Sequence, residues 1–345
     1  MTCCFFFGFV RRSSSRLLPP REVTNAIFSA VVRPCFVGIN VVCGDYLLEL
    51  EKLKKLVLEG IVIFDVVTIN PPFSSQGINY EGRKRDNITY LWNKIIEATL
   101  PLIKKDTGYL CAVHPPGWRA PGSKLWKPLT SKQIHYLEIH NADDGQKTFK
   151  CATRYDWYIL QNTDTKCNTD IVDEKGFHHS IDLSTKSFLP NFFISEMYNF
   201  LSGENTCEIL YDRCSYRAGD SGKSWVSKEK TDEFKFPIVC TIGKNGPIFW
   251  YSNTNKLGQQ FGVPKVIIGA GYKAINDFNG EYGVSQHMFC IKINSNEEGD
   301  GIVKALSSLK FRNLFSSVVR TGFDVNTDVN ILKHFRQDFW KEFVV

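Results

Sequence analysis

Alternating apolar runs and polar loops divide the first half of the chain into predicted strands and helices. The run "IVIFDVVTI" (61–69) is apolar on both faces apart from Asp65 and Thr68, as in a central strand of a parallel sheet. The next segment, "ITYLWNKIIEATLPLIKK" (88–105), has apolar residues at helical spacing, and Pro101 is expected to shorten that helix. Further strands are predicted at "GYLCAVH", "IHYLEIHN" and "YDWYILQN". This order predicts an α/β doubly wound sheet.

The segments before and after this predicted sheet differ from it in their apolar and polar pattern. Upstream, "VVRPCFVGINVVCGD" predicts a strand, and "YLLELEKLKKLVLEG" predicts a helix closed by Gly60. Downstream, the polar stretch "QNTDTKCNTDIVDEKGFHHSID" predicts a linker. The strand-like, Gly-rich end of the chain closes with two predicted helices, "GIVKALSSLKFRNLFSSVV" and "NILKHFRQDFWKEF". We expect an atypical segment 1–38, an α/β domain 39–165, a linker or insertion 166–235 and an α+β module 236–345.

Composition and charge narrow the class of protein. The 345 residues carry a formal charge of +6, which is compatible with nucleic-acid contact without proving it. The 11 cysteines form no CxxC pair, so reduced and mostly buried thiols of an intracellular protein, in cytoplasm or nucleus, are expected. No apolar stretch reaches the roughly 18 residues of a membrane span.

Residues 1–35 are Arg- and Ser-rich and acid-poor. They fit an organelle-targeting segment, a disordered tail or a mis-assigned start.

The predicted central strand ends in Asn70-Pro71-Pro72-Phe73. The two prolines could simply terminate the strand. However, the carboxyl end of such a strand is where doubly wound folds bind ligands. The prolines fix the backbone and supply no N–H. The Asn70 side chain and the Pro71 carbonyl are therefore expected to act as two hydrogen-bond acceptors.

Two adjacent acceptors suit an exocyclic amine, which offers two N–H donors. Binding both hydrogens draws the nitrogen lone pair out of conjugation with its ring, so that the amine can attack an electrophile. Phe73 supplies an aromatic face for a flipped base. If the electrophile is a sulfonium methyl group, positioning and desolvation supply most of the acceleration, and neither a metal nor a strong base is needed.

With this tetrapeptide the chain resembles the amino-group DNA methyltransferases, specifically the adenine-N6 enzymes related to type II restriction-modification systems and their viral relatives. In that family Asn/Asp/Ser-Pro-Pro-aromatic is the catalytic motif. The resemblance implies a Rossmann-like catalytic domain, S-adenosylmethionine as methyl donor, double-stranded DNA as substrate and a carboxy-terminal target-recognition domain. It also implies that Asp45 and Tyr46, in "VVCGDYL", hold the adenine of the donor. In "FKCATRYDWYIL", Tyr155 and Trp157 would wall the pocket for the target base.

The chain departs from this family at the amino end. A Gly-rich loop of the F-x-G-x-G kind and an acidic residue for the ribose are expected upstream of Asp45, and neither is found. The amino half of the donor site is then deleted or supplied by a second chain. Alternatively, "VPKVIIGAGYKAIND" (263–277) could be the donor loop of a circularly permuted enzyme. A Gly-rich turn within the recognition module explains that stretch better.

Several charged and aromatic residues are further candidates. Phosphate contacts are considered for a basic run after the motif and for two lysines beside the Gly-rich turn: Arg83, Lys84, Arg85, Lys265 and Lys273. For each, a solvated surface charge is the competing interpretation. Trp118-Arg119 is expected to be structural rather than a nucleic-acid contact. His178-His179 lacks a further ligand at metal spacing, so no metal site is predicted.

Three other functions remain open. A catalytically inactive remnant that still binds DNA would keep every feature described. A protein glutamine also offers two N–H donors to such a motif, although the length of chain after the motif favours a polynucleotide. The N4 amine of cytosine is chemically close, whereas Asn70 at the first motif position favours adenine.

Overall fold

A computed structural model describes residues 64–73, 91–201, 204–212, 215–216, 225–318 and 325–344. The chain divides into two compact units between Phe192 and Phe193. The strand and helix predicted upstream of residue 61 lie outside the described residues.

The first unit is built on a six-stranded sheet in the order β1-β2-β4-β3-β5-β6. β1 is parallel to β2, and β3 is parallel to β5. β4 is antiparallel to both β2 and β3, and β6 is antiparallel to β5. The predicted α/β class is therefore confirmed, with a mixed sheet in place of a wholly parallel one. The strands are β1 (Val66–Ile69), β2 (Tyr109–His114), β3 (Lys132–His140), β4 (Tyr155–Asp164), β5 (Thr169–Val172) and β6 (His178–Ile181).

The predicted helix after the central strand is present and ends where Pro101 requires. Helix α1 (Leu91–Thr99) passes into a 3-10 turn, Leu100–Leu102. Trp92, Ile95 and Ile96 are buried, and the Trp92 ring stacks on His114 of β2 at 4.6 Å. α1 therefore covers the face of the sheet that carries His114. Helices α2 (Trp126–Thr130) and α3 (Ala142–Phe149) follow.

The predicted linker 166–235 is wrong in its first part, because β5 and β6 extend the sheet there. Ile171 of β5 pairs with Leu137 of β3 and is buried. The turn between the two strands is closed by Asp173, whose carboxylate accepts from the backbone N–H groups of Lys175 and Phe177. The first unit consequently ends at Phe192 and not near residue 165.

The second unit contains two four-stranded sheets, ordered β13-β9-β10-β8 and β12-β11-β14-β7. Its strands are β7 (Ile209–Leu210), β8 (Val226–Ser227), β9 (Phe236–Gly243), β10 (Gly246–Ser252), β11 (Lys265–Ile268), β12 (Ala274–Asp277), β13 (Gly283–Val284) and β14 (Phe289–Lys292). Its helices are α4 (Ile194–Asn199), α5 (Asn296–Ser307), α6 (Leu309–Ser316) and α7 (Val325–Leu332). This α+β unit begins at Phe193, well before the predicted boundary at residue 236.

Both closing helices are shorter than predicted. The first is divided between α5 and α6 at Ser308, whose backbone is extended (ψ 146°) and whose hydroxyl accepts from the Phe311 N–H at 3.1 Å. The second ends at Leu332, and only a 3-10 turn, Phe339–Glu342, follows. A buried aromatic cluster fills the space between these segments: Phe311, Phe315, Phe335 and Phe339.

Among the described residues, no helix has the length and apolar character needed to cross a membrane. The six described cysteines are free thiols. Cys207 and Cys290 are buried, Cys111 and Cys240 are partly buried and Cys151 and Cys167 are exposed, so most of the described thiols are not fully buried, contrary to the prediction.

Candidate active site

Asn70 follows β1 at the carboxyl edge of the first sheet, as predicted. The register of the parallel pair places Ile69 beside Ala112, so the Asn70 motif and the loop after His114 leave the sheet at the same edge. Asn70 is exposed, Pro71 is buried and Phe73 is half-buried. The burial of Pro71 anchors the motif, and the exposure of Asn70 leaves its amide accessible to a ligand.

Phe73 begins a row of four contacting rings. It meets Phe149 edge-on, with centroids 5.8 Å apart and planes at 71°. Phe149 meets Tyr155 edge-on at 4.9 Å, and Tyr155 stacks on His140 at 4.3 Å with planes at 8°. We call Phe73, Phe149, Tyr155 and His140 the aromatic row. The structure therefore brings Phe73 and Tyr155 to one site through Phe149, which the sequence analysis did not single out.

Trp157, the other predicted wall residue, lies two residues further along β4. Its ring packs on Tyr136 of β3 at 4.9 Å. The pairing of β3 with β4 sets Trp157 beside Glu138 and Tyr155 beside His140. Tyr155 thus belongs to the aromatic row, whereas the Trp157 ring packs on Tyr136.

Helix α3 positions Phe149. Asn141 caps the helix by accepting from the N–H groups of Asp143 and Asp144, and the Asp144 carboxylate accepts from the Asn141 N–H at 3.3 Å. The helix ends at Lys150, which adopts a left-handed conformation (φ 57°). Gly145 lies so close to the Thr153 backbone that a Cβ there would sit 1.9 Å from the Thr153 carbonyl oxygen. α3 is therefore tightly seated with Phe149 against β4.

His140 lies between two carboxylates at the end of β3. Its Nε2 is 3.3 Å from Oε1 of Glu138, and its Nδ1 is 3.7 Å from Oδ2 of Asp144. Burial lowers the pKa of His140, but the interaction with Glu138 and the charges of Asp144 and Asp156 outweigh it, so the pKa is raised. The interaction with His140 in turn lowers the pKa of Glu138. The imidazolium is thus favoured beside the aromatic row.

His114, at the end of β2, is held in the neutral form. Its Nδ1 lies 3.0 Å from the Pro115 carbonyl oxygen, which can only accept, so Nδ1 carries the proton and Nε2 accepts from the Tyr158 hydroxyl at 3.0 Å. Burial lowers the pKa of His114 to about 4. The His114 ring is therefore buried and does not form part of the exposed surface of the site.

Trp118 and Arg119 are structural, as expected. Both are buried, and both donate to the carboxylate of Asp156: Trp118 Nε1 at 2.7 Å and Arg119 Nε at 2.7 Å. Neither side chain is accessible to nucleic acid in this structure.

Lys265 cannot contact a phosphate in this structure, contrary to the prediction. Its ammonium group has no exposed surface and donates to Oδ2 of Asp277 at 2.6 Å and to the Gln260 carbonyl at 2.8 Å. A buried charge requires such partners, and the pairing of β11 with β12 supplies Asp277. Lys273 is exposed and remains a candidate.

The Gly-rich segment beside these lysines is a turn. Gly269, Gly271 and Tyr272 connect the antiparallel strands β11 and β12, and Gly271 (φ 68°) and Tyr272 (φ 59°) are left-handed. A strand follows the glycines and not a helix. This is the turn interpretation preferred from the sequence, and it differs from the strand-loop-helix expected of a donor loop.

The remaining predicted site residues, Asp45, Tyr46, Arg83, Lys84 and Arg85, lie outside the described residues. Within the described ranges, no group of three or more His, Cys, Asp or Glu side chains could hold a metal ion. His179, considered above for a metal, lies 3.1 Å from Oδ2 of Asp173 in the β5–β6 hairpin.

No protein-family model matches the sequence, and no curated protein matches it. Solved structures show partial similarity. A type I restriction-modification methyltransferase subunit from Streptococcus thermophilus is 20% identical over 35% of this chain and 29% of that chain, with a TM-score of 0.23. The type IIG restriction endonuclease BpuSI is 11% identical over 81% and 48%, with a TM-score of 0.31. The type IIL restriction-modification enzyme MmeI, solved in complex with DNA, is 10% identical over 70% and 42%, with a TM-score of 0.38.

The chain spans less than half the length of each of these three proteins. At such TM-scores and identities the similarity does not establish a function.

Proposed function

We propose that this chain methylates the N6 amine of adenine in DNA, with S-adenosylmethionine supplying the methyl group. One observation carries the proposal: an exposed Asn70 followed by a buried Pro71, at the carboxyl edge of an α/β sheet, with Phe73 held edge-on by Phe149. This arrangement offers two acceptors and one aromatic face to a single planar amine.

The chemistry assigned to the chain is limited to binding and orientation. The Asn70 side-chain oxygen and the Pro71 carbonyl accept the two amine hydrogens, which raises the nucleophilicity of the nitrogen. S-adenosylmethionine, when bound, would supply the methyl group: the C–N bond would form as the C–S bond breaks, the sulfonium would leave as the neutral thioether, and one amine proton would pass to water. Phe73 stacks on the base and keeps the attacking nitrogen in line, so proximity and orientation supply much of the rate acceleration.

The proposed substrate contacts follow from the same function. Arg83, Lys84 and Arg85 would contact phosphates near the flipped base, and Lys273 would contact DNA from the second unit, the proposed target-recognition domain. Asp45 and Tyr46 would hold the donor.

The test measures N6-methyladenine. The purified full chain is incubated with mixed-sequence duplex DNA and S-adenosylmethionine, and the digested nucleosides are quantified by mass spectrometry. We expect N6-methyladenine from the wild-type chain, a loss of at least about 100-fold in Asn70→Ala, and no loss in the matched control Asn313→Ala, an exposed residue of α6.

No methylation by a folded wild-type chain would contradict a self-sufficient enzyme and favour the inactive DNA-binding alternative. N4-methylcytosine as the product would correct the target base. Methylation that survives Asn70→Ala would overturn the assignment of the motif.

A further inference from the structure

We propose that His140 is a positioning residue for Phe73, acting through Tyr155 and Phe149. The inference rests on the proposed function, because the base that Phe73 would stack on belongs to that function. It adds a site of pH control to the base pocket: the charge on His140 would set the orientation of the ring that receives the base.

The geometry of the aromatic row supports this coupling. His140 and Tyr155 are nearly parallel at 4.3 Å, whereas the other two contacts in the row are edge-on. A parallel stack fixes the tilt of Tyr155, and the Tyr155 hydroxyl is held 3.2 Å from the Thr148 hydroxyl of α3. Tyr155 is thus restrained on its face and at its tip. Phe149 meets Tyr155 edge-on and Phe73 meets Phe149 edge-on, so a change in the plane of Tyr155 would be passed to Phe73 through these two contacts.

The charges around His140 make this stack dependent on protonation. Glu138 on its own strand and Asp144 on α3 flank the ring at 3.3 and 3.7 Å, and Asp156 on β4 adds to the field. Lys147 lies 3.8 Å from Asp144 and partly offsets that carboxylate. Glu138 is itself fixed, because its Oε2 accepts from the Tyr136 hydroxyl at 3.0 Å. An imidazolium over a phenol face is a cation–π contact, which is stronger than the neutral stack.

An uncharged ring at position 140 would fill the same space as the His140 imidazolium. Two carboxylates on one half-buried imidazole stabilise its charge, and the stacked Tyr155 connects that charge to the ring that faces the base. This arrangement distinguishes His140 from His135 on the same strand, which contacts Gln161 and Tyr109 and no member of the aromatic row.

The test reads Phe73 directly and does not require activity. 4-Fluorophenylalanine is placed at position 73 of the full chain, and its 19F chemical shift is followed against pH. We expect a titration with a midpoint above 6.5, the ordinary pKa of histidine. The titration should vanish in His140→Phe, which keeps a ring without charge, and persist in the matched control His135→Phe. In Glu138→Gln the midpoint should move to lower pH, which keeps the test decisive if His140→Phe folds poorly.

A 19F shift that does not titrate, or that titrates unchanged in His140→Phe, would overturn the coupling. Methylation kinetics separate this failure from failure of the proposed function. With both correct, kcat/KM for methylation falls as pH rises through the 19F midpoint, and His140→Phe flattens that profile. If methylation is observed without the 19F titration, only the positioning role of His140 is contradicted. If the 19F titration is observed without methylation, the proposed reaction is contradicted, and with it the proposal that Phe73 orients a base.

Discussion

Arg119 and Asp156 form a two-point ion pair inside the first unit: Nε of Arg119 donates to Oδ2 at 2.7 Å, and Nη2 donates to Oδ1 at 3.0 Å. The other three N–H donors of the guanidinium reach the carbonyls of Leu189 and Pro190 and the Asn191 side chain. All five donors of the guanidinium are therefore used. Asp156 stands at the start of β4, directly after Tyr155, so this pair anchors the strand that carries the aromatic row.

Arg119→Met should destabilise the first unit strongly, because it leaves the Asp156 carboxylate buried without its countercharge. We expect a loss of about 3–5 kcal/mol in the free energy of unfolding, measured by urea denaturation. Arg312→Met, at an exposed position of α6, is the matched control and should change little. Arg119→Met combined with Asp156→Leu should recover part of the loss. If Arg119→Met alone is as stable as wild type, the pair does not anchor β4.

Lys265→Met should destabilise the second unit for the same reason, since Asp277 would keep a buried, uncompensated charge. A loss of about 3–5 kcal/mol is expected in urea denaturation. The control is Lys273→Met in the adjoining turn, where the side chain is exposed and stability should hold. Equal stability of the two variants would contradict the burial of Lys265.

Lys273→Ala should weaken DNA binding without affecting folding, if Lys273 contacts a phosphate as proposed. The measurement is DNA affinity at several salt concentrations. Loss of one phosphate contact should reduce the slope of log affinity against log salt by about one. Lys304→Ala, on α5, controls for the loss of a single positive charge. An unchanged slope in Lys273→Ala would remove Lys273 from the proposed DNA contacts.

Gly145→Ala should displace α3, because the new Cβ would overlap the Thr153 carbonyl. We expect destabilisation of roughly 1–3 kcal/mol, seen as a lower unfolding midpoint. Gly243→Ala is the matched control: its Cβ would lie 3.5 Å from the nearest atom, the Gly246 carbonyl oxygen. A Gly145→Ala chain with the wild-type midpoint would show that α3 is not seated on that backbone.

His114 should make the protein less stable in mild acid. Its pKa is about 4 when folded and 6.5 in the unfolded chain, so the unfolded chain binds the extra proton between these values. The contribution of neutral His114 to the free energy of unfolding is therefore complete above pH 6.5 and is lost as pH falls toward 4. The free energy of unfolding lost over this range is roughly 3 kcal/mol. Urea denaturation at pH 7, 6 and 5 should show this slope, and His114→Gln should lack it. An identical slope in the variant would mean that His114 is not buried in the neutral form.

Elements whose cause is local were predictable from the sequence. The apolar run around Val67 predicted β1, and helical spacing with Pro101 predicted α1 and its end. The position of Asn70 directly after β1 predicted that the motif lies at the carboxyl edge of the sheet. Each depends on a few consecutive residues, so no long-range contact needs to be known.

Features that depend on distant partners were missed. Strand β6 is polar because it is an edge strand, and only its pairing with β5 makes it a strand. The sequence predicted Lys265 to be an exposed cation, because the pairing that places Asp277 of β12 opposite it depends on the tertiary fold. Helix α3 is polar with a central Gly145, but Asn141 followed by Asp144 is a capping pair that could have revealed its start. Phe149 would then have been placed at the end of this helix, whereas its contacts with Phe73 and Tyr155 depend on tertiary packing.

The reach of Arg119 to residues 189–191 sets a minimum length for an autonomous first unit. A fragment cut at residue 165 would lose β5 and β6, and three guanidinium donors would have no acceptor in an apolar interior. Such a fragment should accumulate as insoluble material on expression. A fragment that continues to Phe192 keeps every acceptor of Arg119 and ends at the boundary between the two units, so it is suited to crystallisation or NMR of this unit.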